Sequence, residues 1–128
     1  MRCYSGVFFI VLLAGLSVHA ESLHAIRPLP GYVCMQLALT PSQLTDPKIG
    51  VPVRDSPTRT AKIVGYAANT VIVQEQLTAG FRRVLQPTGD AGWIEAGYLR
   101  PWSNPFAPTS KCSPAIMSDG KPGFGAVH

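Results

Sequence analysis

Cysteine and histidine have the widest chemical reach in this chain, and there are three of each: Cys3, Cys34 and Cys112, with His19, His24 and His128. A thiolate nucleophile needs an imidazole within hydrogen-bond reach, and a structural metal site needs ligands at short paired spacings such as C-x-x-C. Neither pattern is present. Cys3 and His19 lie in the N-terminal apolar segment, His24 and His128 belong to terminal stretches, and Cys34 and Cys112 stand far apart. The sequence also lacks a nucleophile elbow, a phosphate loop and any paired-ligand motif. These absences predict a protein that is not an enzyme and that holds no cofactor and no metal. What remains for Cys34 and Cys112 is a disulfide, the expected state of one even pair in an oxidising compartment. Two free thiols are the alternative, and pairing within one chain or between two chains is left open.

The compartment follows from the N-terminus. Arg2 precedes the uninterrupted apolar run Val7 to Leu16, which is too short for the roughly 20 residues of a membrane span but fits the core of a secretory leader. Val18-His19-Ala20 has the small residues of a cleavage site. Residues 1–20 are therefore expected to be a signal peptide, with an uncleaved anchor as the alternative. The chain from Glu21 onward is expected to be periplasmic or secreted, with no stable membrane insertion after cleavage.

Charge narrows the partners. The chain carries 11 Lys and Arg against 7 Asp and Glu, and its densest basic group is only Arg82-Arg83. Nucleic-acid binding requires clustered cations, so that class is excluded. Twelve prolines disfavour long helices and favour short strands joined by turns.

The elements that must position any site can be read in chain order. Residues 21–48 read as an N-terminal arm, in which Tyr32 to Leu39 is apolar enough for a strand or a short buried segment. Thr40-Pro41-Ser42-Gln43 has the form of a capped helix start, and Pro47 limits that helix to one turn. Five β-branched runs follow: Val51–Arg54, Ile63–Tyr66, Thr70–Gln76, Phe81–Gln86, and Trp93–Ile94 with Tyr98–Arg100 as the closing piece. A long polar loop, Asp55 to Thr60, separates the first two, and Gly80 and Gly89 serve tight connections between later ones. Trp93 and Phe81 are expected inside, because a unit of this size buries little and needs its largest side chains. Residues 102–128 read as a Pro/Gly-rich C-terminal arm that only Cys112, Ile116 and Met117 anchor.

Pro52-Val53-Arg54-Asp55-Ser56-Pro57, Lys62-Ile63-Val64-Gly65, Val71-Ile72-Val73 and Gly89-Asp90-Ala91-Gly92-Trp93-Ile94 with Tyr98-Leu99 together resemble a bacterial SH3-like (SH3b) domain. The resemblance implies an all-β fold: a small SH3-like barrel of about five strands over residues 49–101, with extended arms on both sides tied by the disulfide. Glu95 stands where eukaryotic SH3 domains carry a groove proline, so PxxP recognition does not carry over. The resemblance further implies a binding groove for an extended peptide. Tyr98, Tyr66 and Trp102 are its candidate aromatic residues, and Asp55 and Arg54 are candidates at the start of the long loop, where an Arg–Asp pair closing the loop is an equal alternative. The expected partner is peptidoglycan or an envelope protein. The alternative is a structural or accessory subunit of an envelope assembly, in which Trp102 and the tail fill the groove.

Overall fold

The computed structural model describes residues 22–46 and 48–125. The expected leader and its cleavage site, Pro47 and His128 lie outside the described residues. Among those described, no helix is long and apolar enough to cross a membrane.

The fold is all-β. In chain order the elements are β1 (Ala25–Pro28), β2 (Tyr32–Leu37), α1 (Pro41–Leu44), β3 (Val51–Arg54), β4 (Ile63–Ala67), β5 (Thr70–Thr78), β6 (Phe81–Leu85), β7 (Ala91–Glu95), a 3-10 turn (Ala96–Tyr98), β8 (Leu99–Pro101), β9 (Pro114–Met117) and β10 (Pro122–Phe124). The one-turn helix forms for the reason its sequence gives. Thr40 Oγ1 accepts from the Gln43 amide at 3.3 Å while Gln43 Oε1 accepts from the Thr40 amide at 2.9 Å, and Pro41 occupies the first turn.

The strands build two antiparallel sheets, one of seven strands in the order β4-β3-β7-β6-β5-β2-β8 and one of three in the order β1-β9-β10. This departs from the expected barrel of about five strands in two ways. First, β2 comes from the stretch expected as an arm, yet it pairs with both β5 and β8. Second, β4 and β8 are the free edges of the larger sheet, and no ladder among the described residues closes it. The sheet is nonetheless strongly curled, because Leu37, Val51, Val53, Ala67, Val71, Val73, Val84 and Ile94, drawn from six strands, pack into one buried cluster. Side chains on one face of a flat sheet would be too spread to do so.

Strand parity decides what enters that core, and it excludes Trp93. In β7 the buried positions are Gly92 and Ile94, and Ile94 is fully buried. A Cβ added at Gly92 would lie 2.4 Å from Val53 Cγ1, so β3 and β7 approach too closely there for any larger side chain. Trp93 therefore turns to the opposite face, where it stands beside its register partners Arg54 of β3 and Arg83 of β6. The Arg83 guanidinium lies 5.5 Å from the ring centroid, a cation–π contact. Phe81, by contrast, is buried.

The outward face is not bare. Cys34, Ile72 and Leu85 form a cross-strand row opposite the main core, and Ile72 is buried outside the main cluster. The smaller sheet lies on this side. Cys34 is bonded to Cys112, the Leu29 amide donates to the Pro114 carbonyl at 3.1 Å, and Ala115 and Ile116 of β9 are buried. The pairing is thus within one chain, and it fits an oxidising compartment. Both arms, expected to be extended, contribute strands that cover the sheet.

Candidate binding clefts

The five residues expected to share a groove are dispersed. Tyr66 lines one cleft, Trp102 lines two others, and Tyr98, Arg54 and Asp55 line none of the four principal clefts. Tyr98 is half-exposed in the 3-10 turn, where its carbonyl accepts from the Ala38 amide at 2.7 Å. Trp102 is half-buried between β8 and the disulfide-bound arm, and the next carbonyl, that of Ser103, accepts from Gln36 Nε2 at 2.9 Å.

Arg54 and Asp55 hold the long loop, though not by pairing with each other. Arg54 Nη1 donates to the Ala61 carbonyl at 2.8 Å, and the Asp55 amide donates to the Lys62 carbonyl at 3.0 Å. The loop tip is tied down by Arg59, whose Nε donates to Glu95 Oε1 at 2.8 Å and whose Nη2 reaches the same oxygen. Hydrogen bonding to Glu95, then the charge of Glu95, raises the Arg59 pKa. The guanidinium is solvent-exposed, so this pair positions the loop and adds little stability.

The most apolar and enclosed cleft has a volume of about 280 Å³ and lies where the mouth of the curled sheet meets β10. Its floor includes Val71 and Val84 of the core, and its rim carries Tyr66, Gln86 and Phe124. Tyr66 is 66% exposed and Phe124 is 43% exposed, so two aromatic faces stand free at the opening. Gln86 is held across Gly65, where an added Cβ would lie 2.2 Å from its Oε1. One wall is therefore made by β6 and its following turn, and another by the tail.

This cleft adjoins an unusual edge. Among the described residues β4 pairs only with β3, and three of its five residues, Ile63, Val64 and Tyr66, are exposed and apolar. An unpaired strand presents alternate N–H and C=O groups to a second chain, and proteins ordinarily blunt such edges with charge or proline. The strand β4 carries neither. The sequence shows the exposed run but gives no sign of β10, the partner wall, which comes from the Gly/Pro-rich tail.

Both Cys34 and Cys112 are consumed by the disulfide, and His24 is exposed on the smaller sheet with its Nδ1 3.3 Å from the Ser22 carbonyl. No family model matches the chain, nor does any curated protein or any solved structure.

Proposed function

We propose that this protein is an exported, SH3-like binding module of the cell envelope that takes an extended segment, a peptidoglycan stem peptide or a protein strand, along β4 and into the cleft between Tyr66 and Phe124. It binds its ligand and does not turn it over. The observation that carries this reading is the coincidence of an apolar edge strand that carries neither charge nor proline with an apolar cleft at its end. Main-chain pairing along the edge supplies affinity, and the cleft selects a side chain. The SH3-like assignment is supported by the run from β3 to β8, which keeps the long loop after the first strand and the 3-10 turn before the last.

The accessory-subunit reading has one observation in its favour: Trp102 is half-buried and faces the disulfide-bound segment Lys111–Ser113 across a shared cleft. The tail, however, builds a wall of the apolar cleft instead of filling it.

Retention of the chain from Glu21 onward by purified sacculi tests the proposal. Tyr66→Ala is expected to reduce retention at least tenfold, the scale of a central aromatic contact, with the thermal midpoint nearly unchanged because the side chain is exposed. Undiminished retention of the variant would move the site elsewhere. No retention of the unaltered protein would remove peptidoglycan as the ligand and favour the accessory reading.

A further inference from the structure

The apolar cleft beside Tyr66 does not end at the tail. Thr70 and Phe124, which line it, also line a second cleft of about 320 Å³, whose other walls are Trp102, Gly125 and the segment 111–113. The strand register explains why the two meet. Leu37 and Val71 are buried in the main core, so Gln36 and Thr70, partners across β2 and β5, turn to the opposite face. There the Gln36 side chain holds the carbonyl of Ser103, next to Trp102. On the tail side, Phe124 pairs with Pro114, and the Gly125 amide donates to the Ser113 carbonyl at 3.0 Å. The larger sheet and the tail thus enclose one trough that runs from Tyr66, past Thr70, to Trp102.

The two stretches of this trough differ in charge. No residue lining the Tyr66 cleft carries a formal charge, and Lys111 is the one charged residue lining the second. Lys111 is exposed and forms no ion pair among the described residues. Arg100, the register partner of Gln36 on β8 and so on the same face, is a second exposed cation outside any such pair. No acidic residue lines either cleft. In the wider cleft that Lys111 also lines, Glu75 stands with Arg82. A chain that leaves an apolar cleft and enters a stretch lined by a cation and no acid is matched there by a negative charge, which in a peptide is a carboxylate.

We propose that the ligand of the Tyr66 cleft is an extended peptide segment that continues across Thr70 and Phe124 and sets a carboxylate beside Lys111. This rests on the binding reading above and adds to it the path and the charge of the ligand.

Amide resonances of the chain from Glu21 onward, disulfide intact, followed during titration with soluble muropeptides test this, once with the free carboxylates of the muropeptides and once with these converted to amides. The acid form is expected to shift Thr70, Ser113 and Gly125 as well as Tyr66 and Gln86. It is expected to bind about three- to fivefold more tightly than the amide form, the scale of one exposed ion pair. Lys111→Gln should erase that preference and Lys111→Arg should keep it, and both replace an exposed side chain, so the fold is retained. Added salt should narrow the difference between the two forms. Acid-form shifts confined to the Tyr66 cleft, equal affinity for the two forms, or a preference that survives Lys111→Gln would overturn this inference and leave the Tyr66 cleft reading standing. An absence of shifts in both clefts with both forms would overturn the two together.

Discussion

Reduction of the Cys34–Cys112 bond is expected to lower the unfolding free energy by about 4–5 kcal/mol, the chain-entropy value for a loop of this length. The bond spans 78 residues and joins β2 of the larger sheet to the segment just before β9, so the loop it closes contains nearly all of that sheet. Its loss falls unevenly on the structure. The three-stranded sheet has short ladders and few buried side chains, so it depends on being held against Ile72 and Leu85. Urea unfolding with and without reductant, followed by amide exchange, measures both effects. Protection is expected to vanish first in β9 and β10 and last around Ile94. An unfolding free energy unchanged by reduction would show that the smaller sheet holds by its own packing.

The second large effect separates neighbouring residues of β7. Ile94→Ala is expected to cost about 2–5 kcal/mol, as the removal of a fully buried branched side chain does. Trp93→Ala is expected to cost about 1–2 kcal/mol, since the indole is only half-buried and its specific partner is the Arg83 guanidinium. The larger residue thus gives the smaller loss. Urea midpoints of the two variants check this, and equal shifts would place the indole in the core after all.

That reversal marks what the sequence makes legible and what it hides. The β-branched runs from Val51 to Leu85 announce their strands because their apolar side chains fit a half-buried pleat, and Thr40 and Gln43 announce a cap because their polar atoms reach the backbone locally. The face to which Trp93 turns is set by a contact with no local signal, the approach of Val53 to Gly92. The same holds for the tail. Pro114, Pro122 and Gly123 argue against strands by propensity, yet they lie in β9 and β10 because β1 and the disulfide hold them in register. Tyr66 is visible in the sequence as an exposed aromatic candidate, but its cleft is assembled from β4, β6 and β10, which are remote in the chain.

Recognition without turnover at the end of β4 is tested most directly by following backbone amide resonances during titration with soluble muropeptides. Saturable shifts are expected at Tyr66, Ala67, Ala68, Gln86 and Phe124, with muropeptides recovered unchanged by chromatography. Shifts confined to Tyr98 and the Asp55–Thr60 loop, or time-dependent cleavage of the muropeptides, would contradict it.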